Sequence, residues 1–373
     1  MKREPIRLWY LTTQLASIGG AERMLFKVLD GLPPSRFSVS LITLYEPGDL
    51  AERLHEKGIS LYARLGKNRS DPRLFPRLYQ LARKERPDIV LTTTNAISYF
   101  WSTVLRQLGL ARRLVVSFHV TRYSRKHHPW FIKTRSAHVD HFVALTPQNG
   151  AFWQSELQIP SDKLCIIPNG IDTNHFVPPA SGKNALRTSL GIPTEASVVG
   201  KIAYFKPVKN LSRFVSVAHK VKQQLPDAFF VLGGDGSERS NVESLIDAFG
   251  LRAAFLLPGE VRQPLIWYQA MDVFLLTSDS EALPVVLLES ASCEVPAVAT
   301  AVGGVPDVIV HGETGFVAPC DAEDALADYV VQLCRDEALR RRMGSQARQR
   351  VVKEFSQEAM VRRYTELFQQ IVD

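Results

Sequence analysis

Short apolar runs alternate with longer amphipathic stretches from one end of the chain to the other. RLWYLTT (7–13), SVSLITL (38–44), DIVLTTT (88–94), LVVSFH (114–119) and HFVALT (141–146) have the length and β-branched content of strands. Between them, segments such as ERMLFKVLDGL and LFPRLYQLARKER space apolar residues three and four apart, as a helix with one buried face does. A polar, proline-containing stretch, TNHFVPPASGKNALRTSLGIP, interrupts the rhythm, which restarts with SVVGKIAYF, AFFVLGG, AAFLLPG, VFLLTS and PAVAT. Strand and helix in alternation predict parallel sheets covered by helices on both faces. Two such series in 373 residues predict an α/β chain of two doubly wound, Rossmann-like domains, 1–176 and 177–356. The last stretch, SQEAMVRRYTELFQQIVD, places Met360, Tyr364, Leu367 and Ile371 on one helical face behind Ser356 as N-cap; residues 357–373 are expected to pack back on the first domain.

In open parallel sheets, ligands sit beyond the carboxyl ends of the strands, so candidate residues are those that follow the apolar runs. They are Gly19 and Gly20 after the first run, His119 at the end of LVVSFH, and Asn169 with Gly170 after LCIIP. In the second series they are Lys206 and Lys209 after KIAYF, and Glu281 after FLLTS.

Within EALPVVLLE, Pro284 suits the first turn of a helix, where its missing N–H costs nothing. The free amides around Ala282, Leu283 and Val285, together with the positive end of the helix dipole, make that N-terminus an anion site. Between residues 282 and 293, Glu289 is the sole charged side chain in an apolar run. Burying an unpaired carboxylate costs several kcal/mol, so a partner is expected. The vicinal hydroxyls of a ribose offer two donors to one carboxylate; the plainer alternative is a partly exposed helix glutamate.

Charge divides unevenly. Residues 1–180 hold 25 Lys/Arg against 14 Asp/Glu, whereas the remainder holds 20 against 24, within a net charge of +7. Residues 121–139, TRYSRKHHPWFIKTRSAHV, carry five Lys/Arg, three His and no acid, interleaved with aromatics. Such a surface suits an anionic membrane or acidic acceptor through Arg122, Arg125, Lys126, Trp130 and Lys133, and no nucleic acid partner is expected. Four scattered cysteines form no C-x-x-C pair, which argues against a disulfide framework or zinc site and fits a reducing cytoplasm; the basic, aromatic surface adds the expectation of a peripheral place at the inner face of the membrane. No secretory signal or membrane span is expected.

The stretch TSDSEALPVVLLESASCEVPAVATAVGGVPDVIVHGETGFVAP resembles the nucleotide-sugar signature of the retaining glycosyltransferases of family 4. GGAER, His119, PNGID, KPVKN, GGDGSER and PGE follow in matching order, over most of the chain. The resemblance implies the GT-B fold, with two Rossmann-like domains whose sheets face a cleft. It also implies transfer of a sugar from a UDP- or GDP-sugar to a hydroxyl acceptor with retention at the anomeric carbon, in cell-surface glycan or glycolipid synthesis.

The same resemblance implies that Glu289 binds the ribose, Glu281 contacts donor-sugar hydroxyls, and the backbone of Ala282, Leu283, Pro284 and Val285 borders the diphosphate, with the N–H groups coming from the residues other than Pro284. Lys209, with Lys206, would neutralise the leaving group, His119 would lie near the donor sugar and acceptor, and Gly19 and Gly20 would let a loop approach closely. Gly234, Asn169 and Tyr204 are implied in donor binding. The family usually has arginine at the position of Tyr204, for which Lys206 is the available substitute. No cofactor or metal is expected besides the nucleoside diphosphate sugar as co-substrate. A nucleotide-sugar epimerase or hydrolase, and a non-catalytic nucleotide-sugar-binding scaffold, stay open as alternatives.

Overall fold

The computed structural model describes residues 4–15, 20–119, 129–180 and 182–373. Contacts divide the chain into two compact units, 1–169 with 357–373, and 170–356.

The first unit contains β1 (Ile6–Thr12), β2 (Phe37–Thr43), β3 (Ser60–Tyr62), β4 (Ile89–Thr93), β5 (Arg113–Ser117), β6 (His141–Ala144) and β7 (Leu164–Ile166). They form one sheet in the order β3-β2-β1-β4-β5-β6-β7, and the pairings are parallel. β1 shows why its sequence reads as a continuous apolar run. Leu8 and Tyr10 face one buried core, while Trp9 and Leu11 face another on the opposite side, so both faces of the pleat exclude water.

The helix Gln357–Val372 delivers Met360, Tyr364, Leu367 and Ile371 to the core that holds Leu8 and Tyr10. Phe368 meets Phe37 edge to face at 6.1 Å. At its carboxyl end, Arg112 and Arg113 donate to the carbonyls of Val372 and Ile371, matching cations to the negative end of the dipole.

The second unit contains β8 (Ser197–Ile202), β9 (Ala228–Gly233), β10 (Phe255–Leu256), β11 (Val273–Leu276), β12 (Ala297–Thr300) and β13 (Gly315–Ala318). Their order is β10-β9-β8-β11-β12-β13, again parallel. Strand order reverses between β1 and β4 in one unit and between β8 and β11 in the other. At such switch points the flanking loops diverge and leave a crevice. At the amino end of β11, away from the switch-point loops, buried Asp272 accepts from Arg187 at 2.6 Å, Lys183 at 3.1 Å and the Val198 amide at 2.9 Å.

The boundary falls ahead of residue 176, where the polar stretch places it. Ile171 bridges Ser356, and Arg348 donates to the carbonyls of Thr173 and Phe176, so residues 170–176 are held by the second unit.

Candidate functional site at the switch point of the second unit

The segment that leaves β8 makes a short 3-10 turn, Pro207–Lys209, and enters the helix Leu211–Gln224 at Asn210. Asn210 is left-handed (φ 41°), a conformation asparagine tolerates better than most residues. Its side-chain oxygen caps the helix through the Arg213 amide at 3.1 Å, and its amide nitrogen donates to Asp279 at 3.0 Å. This geometry delivers Lys209 to the segment that leaves β11. Lys209 Nζ donates to Glu281 Oε1 at 2.8 Å, and Glu281 is buried. The switch point thus brings Lys209 and Glu281 together.

Lys206 does not join them. It is exposed, and its ammonium lies 5.0 Å from the ring centre of Tyr204, itself 63% exposed. Asp279, two residues before Glu281, accepts from Asn210 and from Arg213 at 2.7 Å. Burial alone would raise its pKa, yet these bonds hold the carboxyl below its usual range.

Two glycines shape the site by close approach. A Cβ on Gly234 (φ 132°) would stand 1.7 Å from the Ala203 carbonyl oxygen, and one on Gly303 (φ 50°) 1.7 Å from that of Glu281. Neither position has room for a side chain, so the loops after β9 and β12 press directly on those carrying Lys209 and Glu281.

Pro284 sits one position earlier than expected: it is the N-cap (φ −74°, ψ 106°) of the helix Val285–Ser292, and no side chain caps that end. Leu283 is buried and Ala282 half-buried. Glu289 is half-buried rather than enclosed, and the Tyr268 hydroxyl donates to its Oε2 at 2.7 Å. Burial first, then the carboxylate, pushes the phenol of Tyr268 well above its ordinary pKa, so it stays a donor.

Sequence reasoning missed Lys201. It is fully buried on β8 and donates to the Lys209 carbonyl at 2.8 Å and the Thr277 hydroxyl at 3.0 Å. Its signal was available: a lysine inside the apolar run SVVGKIAYF needs a partner as much as Glu289 does.

In the first unit, β5 ends at Ser117, whose Oγ lies 3.0 Å from His119 Nε2 and 3.2 Å from the Tyr364 hydroxyl. Burial lowers the His119 pKa to about 4, so the imidazole is neutral near pH 7. Its Nδ1 has no hydrogen-bond partner among the described residues. Gly20 opens the helix Gly20–Gly31, and buried Asn169 closes the first segment of this unit. Gly19, Arg122, Arg125 and Lys126 lie outside the described residues. Trp130, 73% exposed, and Lys133, also exposed, belong to the helix Pro129–Arg135. Among the described residues no helix is long and apolar enough to cross a membrane, and no group of three or more His, Cys, Asp or Glu could hold a metal ion.

Comparison with known proteins decides the family. Residues 182–350 match the family described as Glycosyl transferases group 1, and residues 18–175 match Glycosyltransferase Family 4. The chain belongs to the group 1, family 4 glycosyltransferases. This glycosyltransferase is 30% identical to the N-acetyl-alpha-D-glucosaminyl L-malate synthase of Bacillus anthracis over 58% of its own length and 56% of that protein, so that match spans little more than half of the relative. It is 24% identical to the UDP-Gal:alpha-D-GlcNAc-diphosphoundecaprenol alpha-1,3-galactosyltransferase of Escherichia coli over 91% of this chain and 90% of that one. Among solved structures, a glycosyltransferase from Rickettsia africae superposes with TM-score 0.85 at 19% identity, covering 100% of both chains. Anabaena HepE in complex with UDP gives 0.83 at 18% identity, covering 98% of this chain and 100% of the other. At these identities the likeness establishes the GT-B fold of the glycosyltransferase.

Proposed function

We propose that this chain transfers a sugar from a nucleoside diphosphate sugar to a hydroxyl acceptor, with retention of configuration at the anomeric carbon. The observation that carries the reading is the Lys209–Glu281 pair, 2.8 Å apart at the switch point of the second unit, beside a helix N-terminus that no side chain caps. A diphosphate is the anion that such a terminus and a lysine suit.

In this reading Glu289, oriented by Tyr268, accepts the ribose hydroxyls, and Glu281 accepts sugar hydroxyls. The N–H groups of Ala282, Leu283 and Val285 hold the diphosphate. The bond between the anomeric carbon and the diphosphate oxygen breaks with its electron pair leaving on oxygen. Lys209 and the helix dipole stabilise the charge that develops there. The acceptor oxygen forms its bond on the same face, and its proton passes to the departing phosphate oxygen. No metal is required, because lysine and amides supply the positive field. Lys206, whose ammonium lies on the Tyr204 ring, is assigned the lesser share of that charge.

UDP is the first nucleotide to test, because HepE is described with UDP and with UDP-glucose. A lipid-linked acceptor fits exposed Trp130 and Lys133 and the diphosphoundecaprenol named for the Escherichia coli relative. The test is thermal unfolding against a panel of nucleotides and nucleotide sugars. A ligand at about a hundred times its Kd adds roughly 2.7 kcal/mol to stability. The anomeric configuration of the product, read by NMR coupling constants, then decides retention. Absence of any shift would sink the reading; sugar interconversion without acceptor would favour an epimerase.

A further inference from the structure

An ammonium inside a parallel strand is an expensive substitute for an apolar side chain of similar length. Desolvation of the charge exceeds what two neutral acceptors return. Lys201 is such a group: fully buried, with the Lys209 carbonyl and the Thr277 hydroxyl as its hydrogen-bond acceptors. Those acceptors lie on different loops. The Lys209 carbonyl belongs to the segment after β8, and Thr277 is the first residue after β11. The Thr277 hydroxyl passes the connection on by donating to the Asn210 carbonyl at 3.0 Å, and Arg213 donates to the Thr277 carbonyl at 2.9 Å. One side chain therefore joins the two loops whose tips carry Lys209 and Glu281.

We propose that Lys201 is a positioning residue of the switch-point site: it fixes the Lys209 loop against the Glu281 loop, and it takes up a proton when a nucleoside diphosphate binds there. This rests on the reading of the site given above. The charged groups that act on Lys201 are Glu281 and Asp279 from the β11 loop, and Lys209 and Arg213 from the β8 loop and the helix that follows. Burial is the largest influence and draws the ammonium down to about 7; Glu281 opposes it, Lys209 and Arg213 reinforce it, and Asp279 opposes it. Without ligand, burial and the two neighbouring cations thus make the Lys201 ammonium far easier to deprotonate than an exposed lysine. Arrival of a multiply charged anion favours the protonated form.

The experiment uses the full chain and UDP as probe. Calorimetric titration at pH 7.5 in buffers of different ionisation enthalpy reads the protons taken up on binding. The wild type should take up a fraction of a proton more than Lys201→Met, and the variant should bind about tenfold or more weakly, as loss of hydrogen bonds from a charged group implies. In ligand-free protein, amide hydrogen exchange should quicken at 206–210 and 277–281 in Lys201→Met while the rest of the unit is unchanged. Thr277→Val, which removes one anchor and keeps the lysine, should quicken the same segments. Equal proton uptake in wild type and Lys201→Met, or unchanged exchange in both variants, would overturn the proposal. If Lys201→Met does not fold, absence of proton uptake by the wild type or unchanged exchange in Thr277→Val overturns it. If the wild type binds no UDP at all, the nucleotide reading and the proton coupling fail together, and the exchange data decide the positioning role on their own.

Discussion

Tyr268 and Glu289 are joined by a hydrogen bond of 2.7 Å, in which a buried phenol orients a half-buried carboxylate on the helix Val285–Ser292. The apolar run around Glu289 therefore holds a positioned acceptor. Glu289→Ala should abolish the thermal shift given by UDP. Tyr268→Phe should retain binding but weaken it about tenfold, since a bond to a charged acceptor contributes roughly 1.5–3 kcal/mol. Isothermal titration of both variants checks the order; equal affinity in Glu289→Ala and wild type removes the ribose assignment.

Lys209→Met should lower kcat by about 10²- to 10³-fold with a smaller change in KM, because charge on the leaving diphosphate develops toward the transition state. Lys206→Met, which frees the Tyr204 ring, should cost markedly less. Steady-state rates on whichever nucleotide sugar shifts the melting curve make the comparison, and equal losses would place both lysines on the diphosphate.

His119 gives a pH signature. Its pKa is about 4 in the fold against 6.5 for an ordinary histidine. Between those values the unfolded chain binds more protons than the folded one, so stability falls as pH drops through that window. The loss reaches about 3 kcal/mol and stops growing below pH 4. Urea unfolding of wild type and His119→Asn at pH 4.5 and 7.5 should show the wild type losing more over that interval. Parallel losses would mean the imidazole is not buried as described.

Asp272 is a matter of stability alone. Removing it leaves Arg187 buried and without its carboxylate, so Asp272→Ala should destabilise the second unit by about 3–5 kcal/mol. A denaturant midpoint within error of the wild type would refute the network.

Trp130→Ala combined with Lys133→Glu should weaken sedimentation with vesicles containing phosphatidylglycerol, and leave the response to neutral phosphatidylcholine vesicles low and unaltered. Binding insensitive to both lipid charge and these substitutions removes the membrane assignment.

Much of the fold was legible because strands buried on both faces read as unbroken apolar runs, as Leu8 to Leu11 do. β3, three residues long and partly exposed, is too short to carry such a signal, whereas β10, paired over two residues, is shorter than the apolar run AAFLLPG that announces it. The spacing of Lys209 and Glu281 pointed to their loops, yet their contact depends on the left-handed turn at Asn210, which no periodicity reveals. Ser117 and Tyr364 are 247 positions apart in sequence, and only the return of the last helix brings them to His119. Lys201 was legible in principle: a cation in a core strand poses the same question as an acid in a core helix.

The peptide crosses from the first unit to the second after Asn169 and comes back after Ser356. The second unit can therefore be excised as one contiguous gene segment. A fragment ending at residue 169 would instead expose the surface that Phe368 and Tyr364 cover, and would take the Tyr364 hydroxyl away from Ser117, the partner of His119. To isolate that half intact, residues 357–373 must be supplied as well, either spliced on by a linker or added as a complementing peptide.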